Sequence, residues 1–379
     1  MPLSEPKLTV GIEEEYLLVD RAGRDLATEP PEAMLKQCEA LLEGQVTPEF
    51  MRAQIEVATH PSATVREARA DLAHLRATVA TVAAEYGLAP IAASTHPFAR
   101  WQEQRLVDKH RYHTLARDLQ AVARRLLICG MHIHIGVEDD DLRIDLMNQM
   151  SYFLPHLLAL TTSSPFWIGE DTGLKSYRLT VFDALPRTGL PDYYESYGEY
   201  ERVVAQLVQG GLMADATKLW WDLRPSAKFP TLEIRITDVC TRLDDAAAVA
   251  ALAQCILSML YRLRRSNQRW RAYPRILVNE NRWRAQRYGV AGELIDFGKG
   301  ELVPLKELID ELIELVAEDA ERLDCTAEVA HTRDIVARGT SADHQCRTFD
   351  EARAAGADER EALDAVVDFL IAETVLDLE

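Results

Sequence analysis

The sequence predicts an α+β protein, on three observations. Four β-rich segments lie far apart in the chain, stretches with helical periodicity separate them, and the spacing between them is irregular. A parallel α/β sheet is the alternative. There is no internal repeat, no low-complexity tract and no Pro/Gly/Ser linker long enough to mark a boundary, so residues 1–379 read as one domain.

The elements follow in order. Residues 8–20 (LTVGIEEEYLLVD), 54–59 (QIEVAT) and 127–137 (LICGMHIHIGV) read as strands. Between the second and third, Val65, Ala68, Leu72, Leu75, Val79, Val82 and Tyr86 recur at intervals of three and four, which predicts a helix over 64–86 with Gly87 as its stop. Further helices are expected over about 145–160, ending before Ser164-Pro165, and over 246–264. The segment 231–239 (TLEIRITDV) alternates Leu232, Ile234 and Ile236 against Glu233, Arg235 and Thr237, which makes a strand with one apolar and one charged face. Residues 280–288, 305–315 and 359–378 are helical by periodicity, with a polar joint at 338–345.

Composition narrows the function classes. A formal net charge of -19 opposes binding to nucleic acid or an anionic membrane surface. No segment reads as long and apolar enough to cross a membrane, and residues 1–7 lack the basic start and apolar stretch of a secretory signal, so a cytoplasmic enzyme acting on small molecules is expected. The six cysteines are scattered without a CxxC pair and read as buried free thiols rather than a zinc site or a disulfide framework.

Four segments then offer ionisable residues at strand spacing. In GIEEEY, period-two alternation puts Glu13 and Glu15 on one face and Glu14 on the other, and converging carboxylates call for a cation, with magnesium a natural partner of oxygen ligands. In QIEVATH, Glu56 sits between apolar residues and shares a face with Gln54. In GMHIHIG, His132 and His134 point to one side and could ligate a metal or contact a phosphate. In TLEIRITD, Glu233 and Arg235 invite either an internal salt bridge or metal and phosphate contacts made side by side. If these strands are neighbours, their charged face is a floor for divalent cations. Neither GxxxxGK[ST] nor a GxGxxG after a strand is present, so metals would do the work of a glycine loop. Beyond the floor, Arg178 lies in a turn-rich aromatic stretch suited to a substrate carboxylate. In ENRWRAQRY, helical spacing puts Asn281, Arg284 and Tyr288 on one stripe and Trp283 and Arg287 on another.

Taken in order, GIEEEY, QIEVATHP, STHPFARWQEQ, LICGMHIHIGV, SSPFWIGEDTGLKSYR, TLEIRITDV, ENRWRAQRYG and GTSADHQ resemble the signature segments of the bacterial glutamate-cysteine ligase type 2 family, the carboxylate-amine ligases, over about residues 8–345. Where the family strand reads TLEIRICD, this chain has Thr237. The resemblance implies a fold like the catalytic domain of glutamine synthetase, with an antiparallel saddle-shaped sheet flanked by helices. It also implies ATP and Mg2+, and an amide formed between an acid such as the γ-carboxylate of glutamate and an amine, possibly cysteine, through an acyl-phosphate.

Carried over to this chain, Glu13, Glu15, Glu56, His132 and Glu233 would ligate magnesium. Arg235 would stabilise the transferring phosphoryl group and Arg178 would hold the acid, while Arg235, His134, Arg287 and Asn281 would contact the nucleotide. A homodimer is also expected. The rival readings are a metal-dependent hydrolase of the amidohydrolase type, built on HxH, and a catalytically inactive homologue that serves as a binding module.

Overall fold

A computed structural model describes residues 5–378; residues 1–4 of the segment read for a secretory signal therefore lie outside the described residues. Among those described, seven strands form one antiparallel sheet. They are β1 (Val10–Asp20), β2 (Val46–Pro48), β3 (Gln54–Ala58), β4 (Leu88–Ile91), β5 (Met131–Gly136), β6 (Leu223–Pro225) and β7 (Thr231–Ile234). Their order is β6-β7-β5-β1-β3-β2, with β4 also paired to β1. Every pairing in it is antiparallel, which decides against the parallel alternative.

β1 is the spine of this sheet because it is long enough to pair several strands along its length: Val10–Glu14 with β5, Glu13–Leu17 with β3 and Leu17–Asp20 with β4. Its alternation sets Val10, Ile12, Glu14 and Tyr16 on one buried face. Register brings Ile133, Ile135, Leu232, Ile234, Ile55 and Val57 to the same side. Two helices cover that face, α1 (Val65–Glu85) and α2 (Leu243–Arg265). Burying each such side chain contributes about 1.5–3 kcal/mol, so the apolar stripe fixes which face of the sheet is left for ligands.

The helix starts have local causes. Thr64 and Glu67 form a reciprocal capping box at the head of α1, Thr64 Oγ1 accepting from Glu67 N at 3.2 Å and Glu67 Oε2 from Thr64 N at 3.2 Å. The helix expected over 145–160 begins earlier, because Asp139 caps it by accepting from Leu142 N at 2.7 Å. It is also broken at Ser151–Phe153 by a 3-10 turn, after which Pro155 stands in the first turn of Leu154–Thr161, where its missing N–H costs nothing. The expected joint at 338–345 shrinks to two residues: Gly339 takes a positive φ of 93° after the helix Thr326–Arg338, and Thr340 starts the helix Ser341–Ala354.

Three readings of the sequence are corrected. β7 ends at Ile234 rather than 239, since Arg235 N and Ile236 N both turn to one acceptor, Asp222 O, at 2.8 and 3.1 Å. Residues 127–130 lie outside β5, although Gly130 bridges Asp238. Finally, α2 is long and apolar enough by length and composition to cross a membrane, contrary to expectation, but 89% of its apolar window is buried inside the protein, where it backs the sheet. Five of the six free cysteines are buried, as read; Cys346 is half-buried.

Candidate active site

Cross-strand register turns scattered sequence motifs into one row. On the open face of the sheet Arg224 of β6 stands opposite Glu233 of β7, and Glu233 opposite His134 of β5. His132 stands opposite Glu13, Glu15 opposite Glu56 of β3, and Glu56 opposite Thr47 of β2. Directly opposed residues share a face at close range, so the order of the strands brings these groups together. Gly11, opposite His134, leaves open the place where its own side chain would stand, and a Cβ there would lie 3.7 Å from that of His134.

Contacts along the row are specific. Glu13 Oε2 lies 3.2 Å from His132 Nδ1, and Glu13 Oε1 lies 3.3 Å from His134 Nε2. Glu233 accepts two parallel bonds from Arg224, both at 2.9 Å, and a third from Arg235. Of the two readings of Glu233 and Arg235, the internal salt bridge is present, and both residues line the pocket. Glu15 Oε2 accepts from Gly130 N at 2.8 Å, and Glu56 Oε1 accepts from Thr47 Oγ1 at 3.2 Å. The row is the floor of a cavity of about 340 Å³ whose walls include Phe50, Tyr112, Ile128, Arg178, Phe182, Trp220 and Phe229.

Charge is unevenly resolved along this floor. Burial would raise the Glu13 carboxyl, but the hydrogen bond from His132 and the charge of the His132 and His134 imidazoles overcome it and hold Glu13 well below the usual carboxylate range. Burial next to Arg235 pushes His132 down to about 4, so at neutral pH the pair is a carboxylate with a neutral imidazole. Glu233 is likewise held low: burial opposes ionisation there, yet the Arg235 and Arg224 charges outweigh it.

The other end differs. Burial, then the Glu49 charge, push Glu15 up to about 8, and burial with the charges of Glu49, Glu13 and Glu15 pushes Glu56 well above its ordinary value. Oxygens of Glu15, Glu49 and Glu56 lie within 4.8 Å of one another.

This donor set fits hard divalent cations. Crowded carboxyl oxygens that resist joint ionisation are relieved by a cation among them. Along the row, His134 Nε2 is buried with no hydrogen-bond partner while it faces the Glu13 carboxylate, and Arg235 Nε is also buried without one. Such orphaned groups in a cavity are explained by a ligand more readily than by the fold. His132 is the ligand the sequence favours over His134; in the structure both imidazoles face Glu13, His132 through Nδ1, which also lies 3.5 Å from Arg235 Nη1, and His134 through Nε2, with its Nδ1 turned to Thr231 Oγ1 at 2.9 Å.

Of the sequence-picked residues, Glu13, Glu15, Glu56, His132, His134, Arg178, Glu233 and Arg235 line the one cavity. Asn281 and Arg287 do not. Asn281 is buried in α3 (Arg275–Tyr288) and spends its amide on the Ile295 backbone, donating to O at 2.9 Å and accepting from N at 2.7 Å. Arg287 donates to Gly173 O and packs over Tyr288 at 5.2 Å. Helical periodicity identifies a stripe without showing what it faces: Asn281 faces the interior, whereas Trp283 and Tyr288 are exposed.

Reasoning from sequence also missed Glu49, Arg224 and Trp220. Glu49 follows a three-residue strand and has no motif of its own, while Arg224 alternates with Asp222 in WWDLRP, a faint strand signal.

The fold and the pocket define an α+β protein with a charged cavity on the open face of a helix-backed antiparallel sheet. Residues 9–368 match the profile of glutamate-cysteine ligase family 2, and the chain belongs to that family. A relative from Rhodospirillum rubrum, provisionally named glutamate–cysteine ligase 2, is 63% identical over 99% of this chain and 98% of its own, and one from Jannaschia sp. with the same provisional name is 56% identical over 99% of both. Among solved structures, a glutamate–cysteine ligase of Francisella tularensis in complex with AMP aligns with a TM-score of 0.65 at 14% identity, over 99% of this chain and 90% of that one. A bifunctional glutathione synthetase of Pasteurella multocida aligns at 0.69 and 14% over 97% of this chain, which spans about half (53%) of that protein. At these identities the structures share the fold.

Proposed function

We propose that this chain is an ATP-dependent carboxylate–amine ligase that joins an acid, with the γ-carboxylate of L-glutamate as the first candidate, to an amine, with L-cysteine among the candidates. The observation that carries it is the row of carboxylates and imidazoles crossing four neighbouring strands, flanked by guanidinium groups, in one cavity of a chain of this family. Glu13, His134 and Glu233 on one side, and Glu15, Glu49 and Glu56 on the other, would hold magnesium, with His132 beside them. Bound there, the cations would neutralise phosphate charge and polarise the transferring group.

The chain's own groups have separate tasks. Arg235, whose Nε is buried without a partner, donates to phosphate oxygens as charge moves onto the leaving ADP. Arg224 holds Glu233 in place through its paired bonds and so keeps that carboxylate turned inward. Arg178 takes the acid, presenting a planar donor to a carboxylate oxygen. The acid's other carboxylate attacks the γ-phosphorus and ADP leaves. The amine nitrogen then attacks the acyl carbon, phosphate leaves, and the nitrogen's proton passes to solvent. Walls made of Phe50, Ile128, Phe182 and Trp220 reduce water access to that acyl-phosphate.

The test is ADP release by purified protein with ATP, magnesium and L-glutamate, with and without L-cysteine and a panel of other amines. Release that requires both acid and amine establishes the ligase, and no release under any combination overturns it in favour of the metal-dependent hydrolase or the inactive binding module. The same reading carries a homodimer in the cytoplasm; sedimentation velocity checks the dimer.

A further inference from the structure

We propose that Gly130 and Asp238 are positioning residues for Arg178, and that together they set the direction in which its guanidinium meets the acid; this rests on the ligase reading above. The first observation is steric. A Cβ built on Gly130 would lie 2.4 Å from Arg178 Nη2, 3.0 Å from Cζ and 3.1 Å from Nε. The guanidinium therefore occupies the space a side chain at 130 would need. Gly130 is absent from the glycines with positive φ, so its backbone does not demand glycine. What requires glycine at this position is the arginine above it.

The second observation is a hydrogen-bond frame. Asp238 pairs with Gly130 across the sheet margin and is completely buried. Its Oδ2 accepts from Ser163 N at 3.0 Å and Ser164 Oγ at 2.8 Å, and its Oδ1 accepts from Ser176 Oγ at 2.8 Å. Ser164 Oγ in turn accepts from Arg178 N at 3.1 Å, and Asp238 Oδ1 lies 3.9 Å from Arg178 Nη1.

Asp238 thus ties Ser163 and Ser164 to Ser176, just ahead of the helix Arg178–Phe182 that Arg178 opens. The head group is held by Ile236 O at 3.3 Å from Nη1, Arg235 O at 3.1 Å from Nη2, and the Phe182 ring at 5.5 Å. Its side chain is only 3% exposed, so a narrow edge faces the cavity and a small displacement hides it.

Gly130 also links this frame to the floor. Its N–H donates to Glu15 Oε2 at 2.8 Å and its carbonyl accepts from Glu15 N at 3.1 Å. The acid-binding arginine and the carboxylate trio are therefore indexed to one residue.

The experiment is a double-mutant cycle read in KM for L-glutamate and KM for ATP. Gly130→Ala folds, because the group in its way is the end of a side chain, and raises KM for L-glutamate about tenfold to hundredfold, the worth of a charge-assisted hydrogen bond. KM for ATP stays within about twofold, and in an Arg178→Ala background Gly130→Ala adds less than about twofold, as shared partners require.

Asp238→Asn, which keeps an acceptor for Ser163 N, raises KM for L-glutamate less than Asp238→Ala does. Equal penalties for Gly130→Ala with and without Arg178, or a matching rise in KM for ATP, overturn the proposal. If the unaltered protein shows no acid-dependent turnover, the ligase reading fails by itself. A crystal structure of Gly130→Ala then decides the positioning claim: a displaced Arg178 guanidinium sustains it and an unmoved one overturns it.

Discussion

The two faces of β1 carry the same residue type and treat it in opposite ways. Glu14 faces the helices, is fully buried, and accepts from Arg76 Nε at 2.8 Å and Nη2 at 2.7 Å, with Tyr16 Oη donating at 2.5 Å. Arg76, from α1, also donates to Cys240 O at 2.8 Å and Thr241 O at 2.7 Å. That network is closed. One residue to either side, Glu13 and Glu15 face the cavity, where Glu15 is pushed up to about 8 by burial and the Glu49 charge. A paired carboxylate is satisfied within the fold; a crowded, partly satisfied one tells of a ligand still to come.

Breaking the comparison gives the largest effects at the cavity. Glu13→Gln or Glu233→Gln should lower acid- and amine-dependent ADP release by about 100- to 1000-fold, as loss of one preorganised charged group does. Activity retained by either variant would refute the cation-binding floor. On the closed face the effect moves to folding. Arg76→Ala strands Glu14 as an uncompensated buried charge and should destabilise by about 3–5 kcal/mol in a denaturant titration, whereas Arg76→Met with Glu14→Leu should recover most of that. A single variant as stable as the parent would mean the pair is not closed as described.

The comparison sharpens with pH. The folded protein keeps Glu15 protonated between the ordinary glutamate range and about 8, where the unfolded chain has released that proton. With more protons bound in the folded state, stability of the metal-free protein falls as pH rises through that window, and magnesium reverses the fall. Binding should therefore release protons near pH 7 and tighten toward pH 8, measured by calorimetry in buffers of different ionisation enthalpy. Magnesium binding with no proton release would rule this out.

The smallest effect is the most diagnostic of a functional site. Glu15→Gln keeps an acceptor for Gly130 N and removes the cost of holding a carboxyl protonated far above its ordinary range, so at neutral pH it should raise the melting temperature by the equivalent of about 1 kcal/mol while removing activity.

Most of the floor was legible. Period-two alternation around Glu13–Glu15, His132–His134 and Glu233–Arg235 named residues that share a face whatever the strand order, because successive side chains in a strand alternate. The apolar partners on the other face, Ile12, Ile133, Ile234 and Ile55, were legible for the same reason. Glu49 and Arg224 were not, since one sits after a three-residue strand and the other in a three-residue strand, too short for a pattern. Asn281 and Arg287 show the opposite failure: a correct helix and a correct stripe, assigned to the wrong surroundings.

By itself, the sequence determined the fold class, the family and which side chains lie together on each strand face, because these follow from local periodicity and from motifs read in order. Only the tertiary structure decided that β7, β5, β1 and β3 are neighbours in that order, that Glu49 closes a carboxylate trio, and that Gly130 makes room for Arg178. Those depend on contacts between residues far apart in the chain, such as Glu15 with Gly130, 115 positions apart. No local pattern records which strand will lie beside which; that is settled by the packing of the buried face against α1 and α2.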